Sequence, residues 1–169
     1  AVMVSDAMAR RTPTRYTDHL RGIGWPLQMM MAAWDATGNQ AYLAAATRQW
    51  RRLRQHLDPD RGWVIKLAFG HCSEASDAGR CRGQNAYMLA LTLSGLARYH
   101  EATGDPEVLV GLTAGIDQLI RGCWDEKHKA YRTTTCKHMR HIPPSGQNSP
   151  AALIAQAIAY ESKITGNRE

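Results

Sequence analysis

Apolar positions run along this chain in two alternating textures. Three stretches are apolar on nearly every side: Trp25 to Thr37, Ala86 to Tyr99 and Ala151 to Tyr160. A helix of that kind has to be covered all round. The segments between them carry a single stripe. From Gln40 to Leu57, the residues Leu43, Ala46, Trp50, Leu53 and Leu57 recur at helical spacing, with Arg48, Arg51, Arg52 and Arg54 on the other face. From Pro106 to Cys123, Leu109, Leu112, Ile116, Leu119 and Cys123 repeat that stripe. Fully covered helices alternating with one-sided ones predict concentric rings, because a four-helix bundle would make every helix amphipathic alike. The expected fold is therefore all-α: a partial α/α toroid of antiparallel helix hairpins, about two and a half repeats long. The arginines between residues 48 and 54 read as a solvated face.

A repeated phrase supports the hairpins. Thr37-Gly38, Thr103-Gly104 and Thr165-Gly166 each follow an apolar stretch with an aromatic near its end (Trp34, Tyr99, Tyr160), and each precedes Asn39, Asp105 or Asn167. Glycine can take the left-handed conformation that ends a helix, and Asn or Asp caps the next one. Pro106, directly after Asp105, suits a first helical position. Arg82-Gly83-Gln84-Asn85 is echoed by Ser145-Gly146-Gln147-Asn148, and Gly62-Trp63 is matched to Cys123-Trp124-Asp125. The repeats run approximately over 17–80, 81–146 and 147–169, after an extended N-terminal segment at 1–16. Two long connectors, Asp58 to Cys81 and Asp125 to Ser149, are expected at the end where the inner helices start. Short β pieces are expected at Trp63–Phe69 and Ala130–Thr135. Two and a half hairpins do not close a ring, so the remainder of the toroid, or another chain, is expected to complete it.

Composition changes this picture little. One Phe stands against five Trp and six Tyr, and amphipathic aromatics suit grooves as well as cores. The formal charge of +6 favours acidic partners such as uronate sugars. No nucleic-acid module is recognisable, and no apolar run is long enough to span a membrane, so neither partner is expected. Four cysteines, Cys72, Cys81, Cys123 and Cys136, allow three full pairings. The local pairs would each staple one loop, with free buried thiols as the competing reading. His71, His128 and His138 add zinc-capable side chains, but the Cys-x-x-Cys spacing of a strong zinc signal is absent. No metal site and no cofactor are expected, with zinc a minor alternative.

The stretches His19-Leu20-Arg21-Gly22-Ile23-Gly24-Trp25-Pro26, Ala33-Trp34-Asp35-Ala36-Thr37-Gly38-Asn39 and Leu96-Ala97-Arg98-Tyr99-His100-Glu101-Ala102-Thr103-Gly104-Asp105-Pro106 resemble α/α-toroid carbohydrate-active enzymes of six-hairpin glycosidase-like architecture, polysaccharide lyases above all. The resemblance implies an aromatic-lined groove at the loop end that takes a polysaccharide or oligosaccharide. It implies His19, His71, His141 and Tyr87 as candidates for moving the proton, and Arg21, Trp25, Trp63, Arg82, Asn85 and Arg140 as candidates for binding substrate. Abstracting a proton beside a carboxylate requires that charge to be offset, which arginine does bidentately. A hydrolase of the same fold needs two carboxyl groups across the scissile bond, for which Asp18, Glu74 and Asp77 are the nearby supply. A non-catalytic module binding glycan or protein is the reading from another class. Cys81-Arg82-Gly83-Gln84-Asn85-Ala86-Tyr87 resembles lanthionine-cyclase-like toroids more weakly, since Arg82 replaces their zinc-binding histidine. An extracellular or periplasmic location is expected with a polysaccharide substrate.

Overall fold

The Thr-Gly turns share their helix-ending hydrogen bonds. In the computed structural model, which describes residues 2–11, 20–58, 60–64, 83–144 and 151–166, Gly38, Gly104 and Gly166 have φ of 65°, 66° and 73°. Each glycine N–H bonds the carbonyl four residues back, at Trp34, His100 and Ser162. Each threonine hydroxyl donates to its own i−4 carbonyl: Thr37 to Ala33, Thr103 to Tyr99 and Thr165 to Glu161. In the first two turns that hydroxyl also accepts the N–H two residues on, from Asn39 and Asp105. Thr and Gly are thus both part of the stop, which is why they recur together.

These turns join α2 (Leu20–Thr37) to α3 (Gln40–Leu53), and α4 (Ala86–Thr103) to α5 (Pro106–Cys123); α6 (Ala151–Thr165) ends in the third. Asn39 and Asp105 cap α3 and α5 by accepting the N–H groups of Ala41 and Glu107. The inner helices α2, α4 and α6 pack side by side, while α3 covers α2 and α5 covers α4. One core runs through them, drawing Ile23, Leu27 and Met30 from α2, Leu89, Leu93 and Leu96 from α4, and Trp50, Leu112 and Ile154 from the others. Pro26 inside α2 has no N–H for the Gly22 carbonyl, and Gln49 Nε2 reaches that oxygen at 3.5 Å. Of the three inner helices α4 is the one enclosed all round. α6 buries Ile154, Ala157 and Glu161 and exposes Ala151, Ala152, Ala155 and Ala159.

The N-terminal residues correct the expectation of an extended segment. Val2–Arg11 form α1, which packs on α2 and α3. Ser5 donates to the Met29 carbonyl, and the Tyr42 hydroxyl to the Asp6 carboxylate. The stretch carries no capping signal, so it is tertiary packing that makes it a helix.

Each outer helix runs into a small β-hairpin. After a 3₁₀ turn at Arg54–His56, β1 (Leu57–Asp58) pairs antiparallel with β2 (Gly62–Trp63); after α5, β3 (Trp124–Asp125) pairs with β4 (Ala130–Tyr131). An aspartate closes each ladder, Asp58 facing Gly62 and Asp125 facing Ala130, with one residue more in the second turn. Asp58 Oδ1 accepts the N–H groups of Asp60 and Arg61, and Asp125 Oδ1 those of Lys127 and His128. The counterpart of Gly62-Trp63 is therefore Ala130-Tyr131, not Cys123-Trp124-Asp125. The described strands are also shorter than expected, and residues 65–69 lie outside the described part.

Trp63 is a core residue. It is fully buried and meets Trp50 edge-on, with centroids 6.2 Å apart. α5 makes room for it with two glycines: a Cβ on Gly111 would sit 2.9 Å from its ring, and one on Gly115 2.8 Å from its Nε1. Gln118 exchanges two hydrogen bonds with the Trp63 backbone. Cys123 and Cys136 are buried and not bonded to each other, so the reading with a staple between them is not the one observed; Cys72 and Cys81 lie outside the described residues. No described helix is long and apolar enough to cross a membrane.

Candidate functional site

The second connector returns to the start of an inner helix. The Ala86 N–H bonds the Thr133 carbonyl at 2.9 Å, the Thr135 N–H bonds the Gln84 carbonyl at 2.8 Å, and the Gln84 N–H bonds the Thr135 hydroxyl at 2.7 Å. Asn85 and Thr134 form the antiparallel bridge between them. The approach is backbone to backbone: a Cβ on Gly83 would lie 2.6 Å from Cys136 Cα. Residues 133–136 are thereby stitched to the N-terminal end of α4, where a rim site was expected. The described part of the first connector behaves differently, because β2 packs against α5.

A buried carboxylate organises the rest of the second connector. Asp125, 5% exposed, uses Oδ1 for the hairpin turn and Oδ2 for the His128 Nδ1 at 3.0 Å and the Arg132 guanidinium. Burial alone pushes its carboxyl up, but the His128 hydrogen bonds and the charges of Arg132 and His128 together hold it below the usual carboxylate range. Arg132 then reaches on, donating Nη1 to the carbonyls of Arg140 and of Ile142, the latter at 2.8 Å. Those two carbonyls flank His141. The turn after the 3₁₀ segment Lys137–Met139 is thus tied to the β3–β4 hairpin.

The expected site residues fall into three groups. Tyr87, Arg140 and His141 share this end of the molecule and are exposed, Tyr87 as the second residue of α4. Trp25, 43% exposed, projects from α2 about a turn and a half into the helix. Arg21 lies in the first turn of α2. Asn85 is at the rim, but its side-chain oxygen accepts the Met88 N–H at 3.1 Å and caps α4, so its geometry is that of a cap. Trp63 leaves the group, since a ring sealed between α3 and α5 has no face to stack on a sugar. His19, His71 and Arg82 lie outside the described residues, as do Asp18, Glu74 and Asp77.

Sequence reading passed over Asp125 and Arg132 as an organising pair. The available signal was the Asp-x-x-His of the hairpin turn, repeated as Asp58-x-x-Arg61. Among the described residues no group of three or more His, Cys, Asp or Glu is placed to hold a metal. Cys136 Sγ lies 3.7 Å from His138 Nδ1. Burial pushes the Cys123 thiol up to about 12, against the pull of Arg132, so it is protonated at neutral pH.

Chemically the rim offers an exposed imidazole for proton transfer, a guanidinium for an anionic or hydroxyl-rich ligand, and the Tyr87 ring for a pyranose face, with the exposed Trp25 ring further along α2. A separate open depression of about 390 Å³ lies between α3, β1 and α5, floored by Trp50 and edged by the Arg54–Glu107 ion pair.

No protein-family model matches the chain, and no curated protein does. Solved structures do. A D-mannose isomerase superposes with a TM-score of 0.62 at 21% identity, over 88% of this chain and 37% of its own. A cellobiose 2-epimerase from Spirochaeta thermophila DSM 6192 gives 0.62 at 22%, over 88% of this chain and 39% of its own. The chain therefore spans under two fifths of the length of either, and the architecture they share with it is the α/α toroid, of which it is a part.

Proposed function

We propose that this chain is part of a carbohydrate-active enzyme whose substrate lies against the rim formed by the α4 N-terminus and the segment 137–142. The observation that carries the reading is the fold it has in common with two enzymes named for sugars. The chemistry that fits the rim is proton transfer at a sugar carbon. His141 would move the proton, Arg140 would offset charge developing on the adjacent carbonyl or carboxylate, and Tyr87 and Trp25 would hold ring faces. Asp125 is already engaged by Arg132 and His128, which weighs against its serving in the carboxyl pair of a hydrolase.

Two reactions use this step. A polysaccharide lyase acting on an acidic glycan abstracts the proton beside a carboxylate, the reading favoured by the sequence. An isomerase or 2-epimerase abstracts the proton beside a carbonyl, the reading favoured by the structural neighbours. Incubation with D-mannose, cellobiose or polygalacturonate in D2O, followed by proton NMR, separates them. Loss of the C2 proton signal marks the isomerase or epimerase reaction, and unsaturated uronate signals mark the lyase. His141→Ala is expected to lower either by about 10²-fold or more. Neither signal with any of the three, or full turnover in His141→Ala, would refute the reading.

A further inference from the structure

Exposed residues at a rim do not make a site unless something fixes their direction. Segment 137–142 carries little regular structure of its own: its backbone bonds, Met139 to Cys136, Arg140 to Lys137 and Ile142 to Met139, are all local turns. The Arg132 side chain ties it to the β3–β4 hairpin. That side chain is 21% exposed, against 48%, 41% and 63% for the ion-paired Arg54, Arg98 and Arg121. The other three pair with exposed carboxylates at the surface. Arg132 instead anchors Nη2 on a carboxylate that is 4% exposed and turns Nη1 to two main-chain carbonyls.

The geometry of those carbonyls matters. Fixing the Arg140 oxygen orients the peptide that enters His141, and the Ile142 N–H bond to the Met139 carbonyl orients the peptide that leaves it. The Ile142 oxygen pins the peptide beyond. Together they set the direction in which the His141 Cα–Cβ bond leaves the chain. We infer that Arg132 is a positioning residue, whose guanidinium joins buried Asp125 to the Arg140 and Ile142 carbonyls and so holds Arg140 and His141 toward substrate. The inference rests on the proposed function for its substrate, but not for the latch itself. A planar fork with five donors is needed to meet three acceptors at once, whereas a lysine ammonium can answer Asp125 but not span to both carbonyls. The same anchor supports the hairpin turn through Asp125 Oδ1, so turn, guanidinium and rim form one connected unit. His128 shares the carboxylate at 3.0 Å without reaching the rim segment.

The test uses Arg132→Lys and Arg132→Ala, with His141→Ala as comparator. Amide hydrogen exchange across residues 139–142 is expected to speed by about tenfold or more in both Arg132 variants, with α4 and α5 unchanged. Guanidinium at millimolar concentration is expected to restore protection in Arg132→Ala but not in Arg132→Lys, whose ammonium occupies the place. On whichever of D-mannose, cellobiose and polygalacturonate is turned over, Arg132→Ala is expected to lose kcat and recover it with guanidinium, while His141→Ala does not recover. Unchanged exchange at 139–142 in both variants overturns the proposal. Faster exchange with kcat retained also overturns it as a positioning role; if His141→Ala retains kcat too, the fault lies with the site reading and not with the latch. Where Arg132→Ala does not fold, the exchange of Arg132→Lys decides.

Discussion

Replacing Asp105 with alanine removes two interactions that one carboxylate makes at the second Thr-Gly turn. Oδ1 accepts the Glu107 N–H at 3.0 Å and caps α5; Oδ2 accepts the indole N–H of Trp50 at 3.1 Å. The first is an ordinary cap, worth about 1 kcal/mol. The second is dearer to lose, because Trp50 is 2% exposed and a buried donor left without an acceptor costs about 1–3 kcal/mol. The repeat supplies its own control. Asn39 stands at the equivalent place in the first turn, and its side chain caps α3 at 3.0 Å in an exposed setting. Asn39→Ala is therefore expected to cost about 1 kcal/mol, and Asp105→Ala about 2–4 kcal/mol. Asp105→Asn keeps an oxygen for the cap but turns an amide N–H toward the indole N–H, so it falls between them. Urea unfolding followed by far-UV circular dichroism, at constant m, measures all three. In a Trp50→Phe background the donor is gone, and Asp105→Ala should drop to the cost of the cap. An Asp105→Ala loss no larger than that of Asn39→Ala, or one unaffected by Trp50→Phe, would refute the reasoning.

Other perturbations test the remaining layers. Gly115→Ala places a Cβ 2.5 Å from Leu93 Cδ2 and 2.8 Å from Trp63 Nε1, and is expected to cost about 1–3 kcal/mol by overpacking. Trp63→Ala should cost about 3–5 kcal/mol as a core truncation; a loss near zero in either would mean that Trp63 is not sealed where the packing puts it. Cys123, whose thiol is raised to about 12 by burial, should resist a maleimide at pH 8 in the folded protein and react once denatured, as read by mass spectrometry. Asp125 has a depressed folded pKa, so its contribution to stability is full above the unfolded carboxylate pKa of about 3.9 and is lost as pH falls through the lower folded value. Asp125→Asn should flatten the acid limb of a stability–pH curve, and an unchanged limb would exclude Asp125 from it.

How far the fold could be read ahead depends on where each interaction closes. The Thr-Gly stops close within four residues, so three copies in register exposed the hairpins and their caps. Periodicity found α5 at its observed ends, Pro106 and Cys123, because a one-sided stripe and a Pro-led start agree there. It missed α1, whose stability comes from Met29 and Tyr42, more than twenty residues away. The hairpins were misaligned for a related reason. Tryptophan drew the comparison between residues 63 and 124, whereas the equivalent residue in the fold is the aspartate that caps each turn, Asp58 and Asp125.

The site follows the same logic at longer range. Tryptophan at a helix start and tryptophan beside a glycine look alike in a sequence, and what separates Trp25 from Trp63 is a pair of glycines on α5, some fifty residues downstream of Trp63, that open a slot for one indole and not the other. Asn85 reads in the sequence as a candidate for binding substrate, whereas its oxygen closes on the Met88 N–H three residues on and caps α4. Arg140 and His141 were legible as chemistry but not as a placed pair, since what places them is a guanidinium eight and nine residues earlier whose counterion sits across a hairpin. Residue type announces which side chains can carry a proton or a charge. Their direction is set by ion-paired partners such as buried Asp125 and half-buried Arg132, which look like ordinary surface charges until the turn that covers them has formed.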